Sequence, residues 1–490
     1  MATEKSAAII GAGLGGLSTA IHLANAGYSV DVFEKNSSPG GKAGCLASSG
    51  FRFDTGPSLL TMPLVLEAIF SSSGENISDY LHIEPLNIIC RYFYKDKTVI
   101  NAYKDPEEFG REINTKTHES PASLFEYLNY CKRIYDLTAD LFLFSSFGNI
   151  SGMFNRKAFK TMMNIRKIDP FRTMNNSIES FFSDNRIVQL FNRYATYNGS
   201  NPYKAPATLN IIPHVEYNIG GFIVKEGMYA VPKALETLAL KKGVSFHYNS
   251  NIRHIVVENS KIEGLFTGDK KLHYSNIISN VDVNYTYKYL LNSNVPGTNR
   301  MEPSSSAFIF YWGVEGSYPQ LEVHNILFSN DYRTEFNNIF DAKVIPEDPT
   351  VYLYISSKFN PSDAPEDHEN WFVMINIPNT NGKKIEYNVD KIRSGIIKKI
   401  KDYTAINITN KIIFEKYVTP LDIEHDTNSY CGSIYGMSSN SRSAAFLRHR
   451  NKSKIAGLYF AGGSVHPGGG VPLVLLSGKL AAESIIRGET

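Results

Sequence analysis

The stretch that most constrains the fold is a glycine-rich turn near the N-terminus, GAGLGG at residues 11–16. An apolar run at 6–10 precedes it, as in a buried parallel strand, and apolar residues at helical spacing follow it. A second apolar run at 28–33 leads directly into Glu34. Strand, GxGxxG turn, helix, strand and acid in this order are the fingerprint of dinucleotide binding. The sequence therefore predicts an α/β fold that opens with a dinucleotide-binding βαβ unit.

Each part of this fingerprint has a physical task. Gly11 permits the tight turn, Gly13 lets a pyrophosphate approach the backbone, and Gly16 lets helix and strand pack closely. The helix N-terminus offers free N–H groups and a partial positive charge to the phosphates, and Glu34 can accept hydrogen bonds from the adenosine ribose. The cofactor contacts expected in this unit are Gly11, Gly13, Leu14, Gly15, Gly16, Glu34 and Lys35.

Two further loops favour FAD over NAD. The stretch PGGKAG at 39–44 places a second glycine pair just after the acid, and DTGPS at 54–58 forms another tight turn. An NAD domain has no need of these extra loops, whereas FAD is a longer molecule held in an extended pose. Lys42 also fits a solvated surface lysine. The FAD contacts expected here are Gly41, Lys42, Gly56, Pro57 and Ser58.

The C-terminal segment is predicted to return to the same domain. Residues 457–463 have the pattern of a strand that enters a glycine turn, and a helix follows from Val471, with proline tolerated in its first turn. Its N-terminus would favour negative charge on a reduced flavin ring. His466 either touches cofactor or substrate, or only hydrogen-bonds its own turn. The contacts expected here are Gly463, Ser464, Gly470, Val471 and Pro472.

Motifs along the whole chain resemble the carotenoid desaturase family of flavoproteins, of the bacterial phytoene desaturase type. They are GAGLGGL, GGKAG, FRFDTGPSLLT, YNGSNPYKAPATLNIIPHVE, VKEGMYAVPKALETLA, SSSAFIFYWGV, YVTPLD and the final His-Pro-Gly segment. Amine oxidases and protoporphyrinogen oxidase are more distantly similar. The resemblance implies a Rossmann-like FAD-binding domain of the amine oxidase and GDI-like superfamily, interleaved with an α+β substrate domain. It also implies a backbone contact to adenine at Ile252, and cofactor contacts at Asn280 and Asp282.

Departures from the family pattern bear on the substrate. Many members carry arginine where this chain has Lys42, and Gly-Ala-Gly-Thr where it has GGSV at 462–465. Together with GSIYGMSSNSRSAAFLRHRNKS at 432–453, this resembles the hydroxycarotenoid 3,4-desaturase branch. We therefore expect 3,4-desaturation of a 1-hydroxycarotenoid. The alternatives are a phytoene-type desaturase and, in another class, a non-enzymatic lipid binder of the GDI type.

Desaturation removes a hydride, which flavin N5 can accept, and a proton. The resemblance offers several polar residues for the proton, each of which also fits a surface or structural role: Asp184, Arg186, Arg193, Tyr197 and His466. We rank His466 first because its segment is expected to lie near the flavin. Oxygen or a membrane quinone is the expected electron acceptor. The four cysteines form no CxxC pair, so no metal site is expected, and reduced thiols are typical of a cytosolic protein.

The chain is long enough for more than one domain. We place a discontinuous FAD-binding domain at 1–95, 215–300 and 415–490, and a substrate domain at 96–214 and 301–414.

No nucleic-acid partner is expected, because Lys and Arg (50) nearly balance Asp and Glu (48) and no dense basic tract occurs. No stretch approaches the roughly 20 apolar residues of a spanning helix. Residues 141–172 mix aromatic and apolar residues with lysines and arginines, and Asp169 is the only acid from 156 to 172. This composition suits an anionic membrane surface, and it also fits an ordinary helical face. Because the implied substrate is lipid-soluble, we expect a cytoplasmic protein at the membrane periphery.

Overall fold

A five-stranded parallel sheet carries the glycine-rich turn in the computed structural model. The structure describes residues 5–145, 168–296, 302–381, 385–441 and 448–488. In spatial order the strands are Ser245–His247, Ser29–Phe33, Ser6–Ile10, Asn276–Ser279 and Leu458–Phe460. The predicted strands at both ends of the chain are confirmed, and they lie in one sheet.

The first helix, Leu14–Asn25, and the last helix, Val471–Ile486, pack directly on one another. The Ser18 hydroxyl donates to the Leu475 carbonyl at 2.8 Å. A Cβ at Gly478 would lie 2.3 Å from the Gly15 carbonyl oxygen, so the two backbones touch. This close packing places the N-termini of both helices on the same side of the sheet.

Most α-helices in the described ranges begin at a side-chain cap. Asp105, Ser120 and Thr419 accept hydrogen bonds from first-turn N–H groups, and each is followed by proline, which suits the first helical position. The α-helices of six or more residues are Leu14–Asn25, Pro63–Ser72, Pro106–Thr117, Pro121–Phe142, Asn185–Asn192, Ala230–Lys241, Tyr332–Asn337, Val389–Thr404, Pro420–Thr427 and Val471–Ile486.

A second, seven-stranded sheet stands opposite the first. In spatial order its strands are Ile412–Val418, Ser306–Glu315, His368–Ile377, Val351–Tyr354, His324–Leu327, Ile88–Phe93 and Val99–Tyr103. Trp312 pairs with Trp371 on one face, where helix Val389–Thr404 covers them. Tyr311 pairs with Phe372, and alternation along the strands turns these two rings to the other face.

Three smaller sheets hold the other strands of the described residues. Turns at 259–260 and 268–269 join the strands of the first of them, and Asn259, Ser260 and Gly268 there have φ of 48°, 61° and 57°. The remaining strands are Ile252–Glu258, Lys261–Thr267 and Lys270–Leu272, then Cys45–Ser48 and Phe51–Asp54, then Leu60–Thr61, Gly221–Val224 and Ile83–Pro85. The domain boundaries expected from the sequence stay a prediction.

The segment at 141–172, which we expect to contact a membrane, lies mostly outside the described residues, which omit 146–167. At its two edges Phe144 is 42% exposed and Phe171 is 60% exposed. In the described part of the chain, no helix combines the length and apolar character needed to cross a bilayer.

Candidate active site

One cavity of about 890 Å³ lies between the two sheets and draws its walls from both ends of the chain. Most of the site residues predicted from the sequence line it. They are Gly11, Gly13, Leu14, Glu34, Lys35, Gly41, Lys42, Gly56, Pro57, Ser58, Arg193, Tyr197, Ile252, Asn280, Asp282, Gly463, Ser464, His466, Gly470, Val471 and Pro472. Gly15, Gly16, Asp184 and Arg186 are not part of this lining.

Glu34 ties the glycine turn to the end of the second strand. One carboxylate oxygen accepts the N–H of Ala12 at 2.8 Å, and the other accepts the N–H of Asn36 at 2.9 Å. The side chain is only 5% exposed, yet it reaches the cavity wall. Each oxygen has further acceptor capacity, so the carboxylate can still accept from a ligand hydroxyl.

The loops at 11–16, 39–44 and 54–58 pack together with no space for side chains between them. The N–H of Gly40 donates to the Ala12 carbonyl at 2.9 Å. A Cβ on Gly56 would lie 1.9 Å from the Lys42 carbonyl oxygen. The wall of the cavity is therefore backbone at these positions, as close approach of a ligand requires.

Gly15, Gly16 and Asn280 shape the glycine turn from behind. A Cβ on Gly16 would lie 2.2 Å from the Gly11 carbonyl oxygen, and one on Gly15 would lie 2.6 Å from Asn280 Oδ1. The Asn280 amide donates to the Gly11 carbonyl at 3.3 Å. These residues hold the turn by close packing, which is the task the fingerprint predicts for Gly16.

Two helix N-termini open on the cavity without side-chain caps. Gly13 precedes the first helix and Gly470, with φ of 101°, precedes the last. Neither can cap with a side chain, so the orphan N–H groups and the positive end of each helix dipole are available to a ligand. An elongated ligand with a diphosphate and a second electron-rich group fits this pair of sites. FAD has both features, so the residues present fit this cofactor.

Lys42 is fixed at the cavity wall. Its ammonium group donates to the carbonyls of Ser433 at 3.1 Å and Ile434 at 2.9 Å. Desolvation lowers the Lys42 pKa to about 8, against the opposing charge of Asp282. Asp282 caps the helical turn Val283–Tyr285, and burial raises its pKa. Lys42 is thus anchored to backbone rather than freely solvated.

Lys35 and Ser464 tie elements together at the lining. The Lys35 ammonium group donates to the His425 carbonyl at 2.5 Å and to Asn428 Oδ1 at 2.9 Å. Ser464 accepts the N–H of Val283 at 3.0 Å through its hydroxyl. Both side chains therefore hold neighbouring segments around the cavity.

Asp184 and Arg186 lie away from the cavity and act on local structure. Asp184 caps helix Asn185–Asn192 by accepting the N–H of Arg186 at 2.8 Å. The two side chains also form an ion pair at 2.6 Å, and Arg186 contacts Asp96 at 3.0 Å. We therefore assign them a capping and ion-pairing role and leave them out of the proposed catalytic group.

The His466 ring contacts a residue distant in sequence, and which of the two roles left open by the sequence it fills stays a prediction. It lines the cavity, and its Nε2 lies 3.0 Å from the Ser145 carbonyl, which can only accept. The His466 pKa is lowered to about 4, mainly by burial and to a smaller extent by the charge of Arg448, while the Ser145 carbonyl opposes this shift. The imidazole is therefore neutral at neutral pH.

Arg448 is a cavity residue that the sequence did not single out. Its guanidinium donates to the Gly463 carbonyl at 3.4 Å and to the Asn198 side chain. Desolvation lowers its pKa to about 10, and it makes no ion pair with any residue of the described ranges. A cation without a carboxylate partner thus lies beside the loop that precedes the last helix.

Five polar side chains of the lining are linked by hydrogen bonds or charge. We call Ser58, Arg193, Glu216, His324 and Tyr352 the polar cluster. The Arg193 guanidinium lies 3.6 Å from a Glu216 carboxylate oxygen. The Glu216 carboxylate also accepts hydrogen bonds from the hydroxyls of Tyr194 at 2.7 Å and Tyr197 at 2.6 Å. The apolar wall includes Leu143, Leu209, Ile211, Ile212, Val215 and Phe372.

Comparison with known proteins places the chain in a family. The NAD(P)-binding Rossmann-like domain matches residues 9–73. The chain is 42% identical over 488 residues to a 1-hydroxycarotenoid 3,4-desaturase of Flavobacterium sp. (strain P99-3), covering 98% of this chain and 99% of that protein. The chain belongs to the carotenoid desaturase family. A 4,4'-diapolycopene oxygenase of Methylomonas sp in the same family is 34% identical over 486 residues, or 98% and 97% of the two chains.

The fold of this family member is also that of a solved amine oxidase. A putrescine oxidase variant superposes with a TM-score of 0.65 over 99% of both chains, at 13% sequence identity. At this identity the likeness concerns the fold alone. The predicted Rossmann-like α/β fold of the amine oxidase type is confirmed, as is the family read from the motifs.

Proposed function

We propose that the chain is an FAD-dependent desaturase that introduces the 3,4 double bond into a 1-hydroxycarotenoid. The observation that carries this proposal is the cavity of about 890 Å³, in which a dinucleotide cradle and an apolar wall meet. A cofactor held by the glycine loops and a long hydrocarbon against the opposite sheet would share this space. The full-length relative named as a 1-hydroxycarotenoid 3,4-desaturase supports the choice of substrate.

The residues of the cradle divide the binding of FAD between them. Glu34 would accept from the ribose, and the N–H groups after Gly13 would hold the pyrophosphate. The N–H groups after Gly470, with the charge of Arg448 nearby, would stabilise negative charge on the ring. When bound, FAD supplies the hydride acceptor for a saturated carbon–carbon bond. The apolar wall excludes water from the reacting carbons.

His466 is the group we propose to take the proton. A neutral imidazole at the cavity wall can accept one, although its pKa of about 4 makes it a weak base. A weak base suffices where loss of hydride leaves a cation delocalised along the polyene. Oxygen or a quinone is the proposed final electron acceptor.

Peripheral membrane contact through 141–172, from the cytoplasmic side, forms part of the proposal. The two exposed phenylalanines at the edges of this segment, Phe144 and Phe171, support it together with the basic composition. Co-sedimentation with anionic liposomes, and loss of binding with zwitterionic liposomes or at high salt, is the expected result. Equal recovery in the supernatant with both lipids would contradict it.

The proposed activity is tested by turnover in liposomes. FAD-loaded protein is given a 1-hydroxycarotenoid in one sample and phytoene in another, and products are read by chromatography and mass. Loss of two hydrogens from the hydroxylated substrate alone is expected. Conversion of phytoene would favour the phytoene-type alternative, gain of oxygen would favour an oxygenase, and a chain that never retains FAD would favour a lipid binder.

A further inference from the structure

His324 is a residue of the cavity lining that carries a buried, unpaired polar atom. The residue begins strand His324–Leu327, is 3% exposed and lines the cavity. Its Nδ1 lies 2.8 Å from the Tyr352 hydroxyl, which lies 2.5 Å from the Ser58 hydroxyl. Its Nε2 is buried and has no hydrogen-bond partner among the described residues. Buried polar atoms are seldom left unpaired, so this nitrogen keeps hydrogen-bonding capacity that a bound water or a ligand can use.

The imidazole ring cannot turn to find another partner. Tyr354 stacks on it with ring centroids 5.1 Å apart and an angle of 12°, and Tyr352 holds its other nitrogen. Burial, with the nearby charge of Arg193, lowers the His324 pKa to about 3, so the ring is neutral. Nε2 is therefore a fixed, neutral, buried hydrogen-bonding group on a residue that lines a largely apolar cavity.

A hydroxyl group is the ligand that matches this nitrogen. It both donates and accepts, so it pairs with Nε2 in either tautomer of the ring. A 1-hydroxycarotenoid carries one such group on an otherwise apolar chain. Its C1 lies two carbon–carbon bonds from C3, so the hydroxyl partner must lie close to the flavin when the 3,4 bond faces the ring. Ser58 is the first residue of the hydrogen-bond chain that runs through Tyr352 to His324, and it belongs to a loop expected to hold the flavin.

We propose that His324, positioned by Tyr352 and Ser58, binds the 1-hydroxyl of the substrate and thereby selects the 3,4 bond. This inference rests on the proposed function, whose substrate class it deepens. One buried hydrogen bond of this kind corresponds to a preference of roughly ten- to a hundredfold for the hydroxylated carotenoid over its deoxy analogue. Tyr352 and Ser58 are positioning residues.

The test compares two substrates on three FAD-loaded variants. His324→Leu removes the hydrogen bond, His324→Gln keeps a polar group there, and His22→Leu is the matched control. His22 also has an unpaired Nε2, and it lies in the first helix outside the cavity lining. The substrates are a 1-hydroxycarotenoid and the same carotenoid with hydrogen in place of the hydroxyl. The readouts are kcat/KM, FAD content, and the Kd of the desaturated hydroxylated product.

For His324→Leu we expect kcat/KM on the hydroxylated substrate and affinity for its product to fall roughly ten- to a hundredfold, with the deoxy analogue unaffected. His324→Gln should recover part of the loss, and His22→Leu should match wild type. If wild type converts neither carotenoid, the proposed function fails. If wild type converts the hydroxylated one and His324→Leu keeps its preference, or loses both substrates equally, this inference alone is wrong.

Discussion

Gly56→Ala tests whether the stacked loops hold FAD. The added methyl carbon would lie 1.9 Å from the Lys42 carbonyl oxygen and 2.8 Å from its carbonyl carbon. Both atoms belong to backbone, so the two loops must separate by more than about 1 Å to reach ordinary contact. Separation strains the hydrogen bond from the N–H of Thr55 to the Gly44 carbonyl, which joins the loops at 3.0 Å.

The expected loss of FAD affinity in Gly56→Ala follows from the steric overlap and the strained hydrogen bond. Overpacking costs about 2 kcal/mol and the loss of one hydrogen bond about 1 kcal/mol. Because a bound cofactor requires the loops to be closed, we expect the sum to appear in FAD affinity. About 3 kcal/mol corresponds to roughly a hundredfold rise in the Kd.

The assay is a titration of apoprotein with FAD, followed by quenching of flavin fluorescence. Gly74→Ala is the control, since Gly74 has φ of +73°, no atom within 4 Å of an added Cβ, and no place in the cavity lining. Its backbone strain of about 1–2 kcal/mol should lower stability and leave the Kd unchanged. Wild-type affinity in Gly56→Ala, or equal loss in both variants, would refute the reasoning.

Three further residues give testable predictions. Glu34→Gln replaces an acceptor of two backbone N–H groups by an amide with one acceptor oxygen, so the FAD Kd should rise about tenfold in the same titration; an unchanged Kd would contradict this. Arg448→Met should lower the flavin midpoint potential by about 30 mV in spectroelectrochemistry, with Arg448→Lys closer to wild type; equal potentials would contradict a charge effect. His466→Ala should slow flavin reduction by bound substrate at unchanged FAD content. The pKa of His466 is about 4 in the folded protein and 6.5 in the unfolded chain, so the unfolded state binds the proton first as pH falls. The free energy of unfolding should therefore drop by about 2 kcal/mol between pH 8 and pH 5. Denaturant midpoints measure this drop, which should be smaller in His466→Gln.

Local patterns explain why the cofactor cradle could be predicted. A few neighbouring residues are enough to predict the local structure of the glycine turn, of Glu34 and of the segment from Gly463 to Pro472. Some backbone conformations need glycine, such as the φ of 98° at Gly11, and the glycine in the sequence therefore indicates them. The parallel sheet then brings these segments together.

Ser58 and Arg193 are candidate site residues in the sequence, but the polar cluster as a group could not be predicted, because no local pattern brings its members together. Ser58 and His324 meet only through the strand order of the seven-stranded sheet, which places His324–Leu327 between Val351–Tyr354 and Ile88–Phe93. The position of Arg448 at the cavity likewise could not be predicted, because it depends on the contact with Gly463 in the folded chain. Asp184 is a candidate for the proton in the sequence, whereas in the structure it caps a helix.

The central claim is that one cavity brings a hydroxylated carotenoid to bound FAD. The most direct measurement mixes FAD-loaded protein with a 1-hydroxycarotenoid in liposomes without oxygen and follows flavin absorbance and product mass together. We expect the flavin to bleach as one product lacking two hydrogens forms per flavin. An oxidised flavin and unchanged carotenoid, with FAD bound throughout, would contradict the claim.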